Sequence, residues 1–412
     1  MNNTKTHTQV NSEEKSVSII HLVLDSGERL PCLVDTQTWL PLRLVTRWAV
    51  RYRRYRVQAN TLISNLRMVG QIYTWAWEIA ALDLDDYLTS GQLFNTRQIE
   101  FLATCLREAS QRRSASVISP TTYNARLAVA EDFLTWALYP ENRGGKSHLS
   151  LSQLNDERTH LRNLLRSLRI SGRSAQRIQP LTDEEIDSIR KAIEPRQTSA
   201  GNWAFPPDGF SPQTALRNWL MFETALELGL RRGELLKLRL DSLPRGSETG
   251  ITIRRLPDDP RDSRALEPAV KTSERCLPAS RHLLRLMRVY VTQPPPLGRL
   301  TLPTPYLFVT RSGDPVSSAT ANDIIQAIGK RSGVESLSWH RLRHTWAEKM
   351  AELLHEEPNG YDQLMYLGGW TNPESPRRYI QNVIARQAMA TMRAYQSAIY
   401  TNEDRAKFQE GA

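Results

Sequence analysis

The chain reads as mainly α with a small antiparallel sheet, divided into an N-terminal all-α domain and a mixed α/β C-terminal domain. Three observations predict this. Between residues 60 and 170, apolar side chains recur at helical spacing in four successive segments. Residues 171–180 (SGRSAQRIQP) then offer almost nothing to bury and read as an interdomain linker. Beyond them helical segments continue, but residues 251–279 turn to strand-like runs around a polar loop. At roughly 150 residues per domain, 412 residues suffice for two or three packed cores.

Each element has its own signal. Residues 1–16 read as a disordered tail, and 17–59 as a strand pair followed by a basic segment. VSIIHLVL and RLPCLVD flank Asp25-Ser26-Gly27, a strand–turn–strand pattern that is either a small module or an extension of the helical domain. In the 60–170 domain, Leu62, Leu66, Val69, Tyr73 and Ala76 share one stripe. Residues 97–110 and 120–138 repeat the behaviour, the latter through Tyr123, Leu127, Ala130, Leu134 and Ala137. A fourth helix covers about 150–170. The second domain, 181–398, opens with capping-box spacing at Thr182 and Glu185. Ser211-Pro212 starts another helix, which runs to Gly229. ITIRRL, the loop PDDPRDSR and EPAVKTSERCLPA form the sheet, with a tight turn expected at Ser273-Glu274. Ser280 caps a helix ended by Pro294-Pro295-Pro296. A short strand (LFVT) follows, then helices at 317–330, 338–354, 361–368 and about 380–398, and a tail at 399–412.

Composition narrows the function. No run approaches the roughly 18 apolar residues of a membrane span, and the mean hydropathy is −0.48. The polar N-terminus has no apolar signal core, so no membrane association or secretion is expected. Three distant cysteines, Cys32, Cys105 and Cys276, disfavour both a disulfide framework and a zinc ribbon. The formal charge is +10, and it is clustered. Residues 43–56 hold six Arg, among them Arg51, Arg53 and Arg54, interleaved with Trp48, Tyr52 and Tyr55 and free of acids. Arg158, Arg162, Arg166 and Arg169 fall at helical spacing in a second acid-free run that continues through Arg173. A single charge run is often just a solvated surface. Two arginine clusters flanking one helical domain favour a surface that tracks phosphates, because the planar guanidinium gives two parallel hydrogen bonds. Such contacts position a protein on DNA without reading its sequence.

Four segments of the second domain carry candidate chemistry. In ALELGLRRGELLKLRL, Arg231 follows a helix end at Gly229, with Glu234 placed to pair with it. Arg232 is its nearest competitor. Lys271 lies beside the expected hairpin turn, where a lysine is ordinarily solvated. In HRLRHTWAEKM, His340 and Arg343 share a helical face, anchored by Trp339, Leu342, Trp346 and Met350. His344 is four residues from His340, but no nearby Cys or carboxylate completes a zinc site, and no metal is assigned. In YLGGWTNPESPRRYI, Trp370 precedes Tyr379 by nine residues.

In this order the four segments resemble the tyrosine recombinase (phage integrase) family. GLRRGE resembles its first-arginine box, KTSERCLP its β-hairpin lysine box, HRLRH its His-x-x-Arg box and GGWTNPESPRRY its His/Trp…Tyr box. The resemblance spans roughly residues 182–398, and the 60–170 domain is similar to the family's core-binding domain in position and helix count. Position 370 is Trp where many members have His, and a second glycine precedes it.

The resemblance implies a site-specific recombinase or integrase of a mobile element. Arg231, Lys271, His340, Arg343 and Trp370 would be the activating residues, Tyr379 the nucleophile and Glu234 the supporting acid. The reaction would be transesterification of a DNA phosphodiester through a 3′-phosphotyrosyl link, with no cofactor. Two arginines can neutralise the charge that gathers on the non-bridging oxygens, and Lys271 suits protonation of the leaving 5′-oxygen. Trp370 can only donate its indole N–H and pack. The implied partners are double-stranded DNA and three further copies of the chain. The implied setting is the bacterial cytoplasm and nucleoid. The need for a DNA-bending or directionality factor, the DNA site, the role of residues 1–59 and the proton acceptor for Tyr379 stay open. The final helix either docks on a neighbouring copy or packs on its own domain. Two alternatives remain: a type IB topoisomerase-like enzyme, and a DNA-binding protein without catalysis.

Overall fold

The computed structural model describes residues 15–90, 92–108, 118–142, 149–172, 178–199, 202–207, 209–293, 298–299 and 304–399. The chain falls into two compact units, Met1–Gln176 and Arg177–Ala412. The described residues are mainly helical, with three two-stranded antiparallel sheets.

In the first unit, β1 (Val17–Val23) pairs with β2 (Arg29–Asp35), Val17 opposite Asp35 and Val23 opposite Arg29. The pair extends the helical core. Leu33 is buried in it, and Val17 and Ile19 pack against it. The basic segment is itself helical: α1 (Arg43–Trp48) runs into one π-helical turn, Ala49–Arg53. Helix α2 (Ala59–Glu78) buries Leu62, Leu66, Val69, Tyr73 and Ala76, the stripe expected from the sequence. Close approach of β1 requires Gly70, where an added Cβ would stand 3.0 Å from a Val17 methyl. Helix α3 (Leu84–Thr89) was not foreseen, since six residues are too few to display a period. Asp83 caps it, and Leu84 and Leu88 bury its one apolar edge. Helices α4 (Thr96–Arg107), α5 (Pro120–Ala137) and α6 (Leu151–Ser167) start at Asn95, Ser119 and Ser150, each accepting a backbone N–H of the first turn. In α5, Tyr123, Leu127, Ala130, Leu134 and Ala137 are all buried.

The second unit opens with α7 (Asp183–Ile193) under the Thr182–Glu185 capping box. A short pair follows, β3 (Arg196–Gln197) and β4 (Trp203–Ala204), then α8 (Pro212–Leu228) and α9 (Arg232–Lys237). Strand β5 (Gly250–Ile253) pairs with β6 (Arg275–Pro278), and α10 (Arg281–Thr292), α11 (Ser318–Ser332), α12 (Trp339–Leu354), α13 (Gly360–Gly368) and α14 (Glu374–Ile399) complete the unit. One apolar core joins α7–α12 with the β5–β6 pair. A smaller one holds Trp346, Trp370, Tyr379 and Val383 together.

Three expectations are corrected. No tight turn stands at Ser273-Glu274, because β6 begins only at Arg275 and a long loop, 254–274, separates the strands. That loop is fastened by buried ion pairs. Arg264 binds Asp262 and the carbonyls of Leu236 and Val316, while Lys237 binds Glu267 and the carbonyl of Leu256. Second, LFVT is no ladder strand. Tyr306 and Val309 make only isolated bridges, to Arg239 and Pro315. Third, the last helix starts at Glu374, so Tyr379 lies inside it. Pro294-Pro295-Pro296 and most of both expected tails lie outside the described residues.

Candidate active site

The second core places the candidate residues around one carboxylate. Helix α8 ends at Gly229, whose φ of +60° is the left-handed conformation that glycine adopts freely. The Trp346 ring lies against it and leaves no room for a Cβ. Two residues on, Arg231 sits at the N-cap of α9. Its backbone N–H donates to Glu234 Oε2 at 2.7 Å. Its half-buried side chain keeps one guanidinium nitrogen, Nη1, buried and without a hydrogen-bond partner. Arg232 is exposed and donates instead to Asn322 Oδ1 at 2.7 Å, so Arg231 is the arginine that turns inward.

Glu234 is fully enclosed. Arg275 Nη1 donates to its Oε1 at 2.6 Å, Thr272 Oγ1 donates to the same oxygen, and Arg343 Nη1 lies 3.6 Å from Oε2. Burial alone would raise its pKa, but Arg275 and Arg343 outweigh burial and hold the carboxyl below the usual range. Arg343 donates to the carbonyls of Gly229 (2.8 Å) and Gly368 (2.6 Å), and its guanidinium lies 4.7 Å from the Trp370 ring centroid. Burial, then repulsion from Arg231, pushes its pKa down. Both effects make an incoming anion welcome, since a guanidinium keeps its proton. Trp370 packs on Arg343 and lies 5.8 Å from the Tyr379 ring. The second glycine has a structural reason: Gly368 faces the Trp370 ring, and Gly369, at φ +61°, faces the Arg275 guanidinium and Thr272.

The tyrosine end is built by α12 and α14. Tyr379 Oη accepts from Arg378 Nη2 at 2.8 Å and lies 3.2 Å from His344 Nδ1. His344 Nε2 lies 3.1 Å from His340 Nε2. His344 is buried and His340 is exposed. Burial, then His340, Arg378 and Arg343, lowers the His344 pKa to about 4, and burial with Arg378, Arg343 and Arg231 lowers that of His340. Both rings are therefore neutral at pH 7.

Arg231, Glu234, Arg343, Trp370, His340 and Tyr379 thus belong to one cluster. Lys271 does not: it is exposed and makes no hydrogen bond or ion pair among the described residues. Its neighbours are tethered, Thr272 to Glu234 and Ser273 N–H to the Gly369 carbonyl at 3.1 Å, so Lys271 rides at the rim. Sequence reasoning missed Arg275 and Arg378 and weighed His344 only as a zinc ligand. Among the described residues, no three or more His, Cys, Asp or Glu side chains are placed to hold a metal ion.

The basic stripe of the first unit is not acid-free in space. Arg162, Arg166 and Arg169 all converge on Glu131 of α5, at 3.6, 2.8 and 2.8 Å. Arg158 stacks 3.5 Å from the Tyr139 ring centroid. With Tyr52 and Asp132 these residues line a cleft of about 440 Å³. Arg53 pairs with Asp132 and Arg54 with Glu28, while Arg51 is exposed. Arg173 lies outside the described residues.

This fold, with arginines and histidines gathered about a tyrosine hydroxyl, is that of the tyrosine recombinases. Residues 207–386 match the model of the phage integrase family. No curated protein sequence matches the chain. Among solved structures, an integrase of transposon Tn1549 in complex with transposon right end DNA shares the fold at 16% identity and a TM-score of 0.50, over 84% of this chain and 98% of that one. A lambda integrase dimer bound to a core site matches at 14% identity and a TM-score of 0.48, over 82% and 94% of the two chains. XerH recombinase bound to a palindromic difH substrate matches at 15% identity and 0.42, over 85% and 93%. Among the described residues, no helix is long and apolar enough to cross a membrane.

Proposed function

We propose that the chain is a site-specific DNA recombinase that integrates or excises a mobile element through a 3′-phosphotyrosyl intermediate. The observation that carries this reading is the Tyr379 hydroxyl held by His344 and Arg378 within the cluster that contains Arg231 and Arg343. The DNA-bound state of the solved structures of like fold supports duplex DNA as the partner. A scissile phosphate seated on the free Arg231 Nη1 and on Arg343 loses its charge penalty in the transition state, where charge gathers on the non-bridging oxygens. Tyr379 Oη attacks phosphorus, and the 5′-oxygen leaves. Lys271, unencumbered at the rim, supplies its proton. The link conserves the bond energy, so a 5′-hydroxyl from a second duplex reverses the step without ATP. Glu234 holds Arg275 and Arg343 in place, and Trp370 backs Arg343.

The arginines around Glu131 and Arg51 give the first unit its phosphate-tracking surface, as a core-binding domain on duplex DNA. Strand exchange between two duplexes calls for four copies. The far half of α14 suits contact between copies. Ala385, Met389, Met392, Tyr395 and Ile399 form an exposed apolar stripe on it. The setting fitting this activity is the bacterial nucleoid.

The test is a supercoiled plasmid carrying the gene with its native flanks, incubated with wild type or Tyr379→Phe in EDTA without ATP and quenched with SDS. A wild-type-only adduct at one position is expected. Scattered adducts with rapid relaxation would point to a topoisomerase-like enzyme. No adduct, with equal DNA binding by both proteins, would point to a binding protein.

A further inference from the structure

Nothing in the motifs says which group takes the phenol proton. The geometry points to His344 as the proton acceptor for Tyr379, with His340 as the outlet that passes the proton to solvent and Arg378 as the group that holds the phenolate; this assignment rests on the recombinase reading above. We propose it on three contacts. Tyr379 Oη has two polar neighbours, Arg378 Nη2 at 2.8 Å and His344 Nδ1 at 3.2 Å. A guanidinium can only donate, so the phenol must donate its own proton to His344 Nδ1. The other ring nitrogen of His344 faces His340 Nε2 at 3.1 Å, nearer than Arg378 Nη2 at 3.4 Å, whose shorter contact is the 2.8 Å bond to Tyr379 Oη. His344 therefore carries its proton on Nε2 and donates it to His340. His340 is exposed, so a proton delivered there exchanges with water.

The charges around the pair favour a relay over a store. Arg378 on α14 and Arg343 on α12 both disfavour a cationic His344. As Tyr379 Oη closes on phosphorus, its proton moves to Nδ1 and the Nε2 proton moves to His340. The O–P bond forms, the P–O5′ bond breaks, and the leaving oxygen takes its proton from Lys271. While the proton leaves, Arg378 faces the negative charge developing on the phenol oxygen and gains a charge-assisted hydrogen bond that weakens once the oxygen is esterified. His344 touches the reacting oxygen and is a catalytic residue, whereas His340 and Arg378 act on it from either side. In the closed arrangement His340 is thus engaged with His344 as well as lying near the phosphate-binding arginines.

Two measurements test this. The first needs no DNA. In the full chain labelled with ¹⁵N-histidine, His344 at neutral pH is expected as the Nε2–H tautomer, with an Nδ1 resonance that shifts in Tyr379→Phe. An Nδ1–H tautomer would overturn the assignment. The second compares first cleavage of duplexes with a normal 5′-oxygen or a bridging 5′-sulfur at the scissile phosphate. Sulfur leaves without protonation, so it cures defects on the leaving-group side only. His344→Gln keeps a polar contact to Tyr379 but cannot pass a proton. It is expected to slow cleavage about 10²-fold or more on both duplexes, whereas Lys271→Ala recovers with sulfur. Wild-type-like cleavage by His344→Gln, or recovery with sulfur, would overturn the proposal while leaving the recombinase reading intact. If the wild type forms no adduct on any DNA, the recombinase reading falls, and the tautomer alone decides the His344–Tyr379 contact.

Discussion

Each unit sets several arginines around one glutamate, and the two clusters differ in depth. Around Glu131 the side chains of Arg162, Arg166 and Arg169 are 36, 56 and 39% exposed. Around Glu234 those of Arg275 and Arg343 are 1 and 3% exposed. The exposed cluster exchanges partners at little cost, because water and salt screen each pair. The buried cluster cannot, since every charge left unpaired there stays out of water. One glutamate thus gathers an exposed set of arginines, and the other a buried frame.

The largest test of this contrast is Glu234→Gln. It leaves Arg275 and Arg343 without their counter-charge and is expected to cost about 3–5 kcal/mol in urea unfolding, with loss of the SDS-stable adduct. Next comes pH. His344 has a folded pKa depressed from 6.5 to about 4, so its stabilising contribution is complete above pH 6.5 and is lost as pH falls toward 4. Glu234 adds a further loss below its unfolded value of 4.5. Thermal melts are expected to be flat from pH 7 upward and to fall below 6.5, less steeply in His344→Gln. Glu131→Gln is expected to change stability by about 1 kcal/mol or less. Its readout is affinity: one net positive charge more tightens DNA binding at low salt, and the gain fades as salt rises. Smallest is Arg166→Gln, expected to lower the salt slope of DNA binding by about 1 and leave the melt unchanged.

These differences also mark what could be read from the sequence. The stripes of α2 and α5, the caps at Thr182 and Ser280 and the helix start at Ser211-Pro212 were legible because helical periodicity and helix-start signals are local. Arg231, Glu234, Arg343 and Tyr379 drew notice because each sits in a short ordered motif. His344 was weighed only as a zinc ligand and set aside, since its contact with Tyr379 reaches 35 residues along the chain to α14. Arg275 drew no notice because its meaning depends on Glu234, 41 positions earlier. The same blindness made the stripe at 158–169 look acid-free: Glu131 lies on the preceding helix, outside any window that scans the run. The 254–274 loop was mistaken for a hairpin because its anchors are buried ion pairs with distant residues rather than turn chemistry.

Tyr379 is 2% exposed, packed against Trp370 and His344. A phenol so enclosed is shielded from nitrating and iodinating reagents, and from stray phosphodiesters that brush the surface. In the reaction proposed above it must first be uncovered to reach phosphorus. Under the function proposed above, the closed site acts as a safety catch: an enclosed nucleophile stays idle until it is uncovered. At saturating DNA, the approach to the first covalent link then contains an opening step whose rate is independent of DNA concentration.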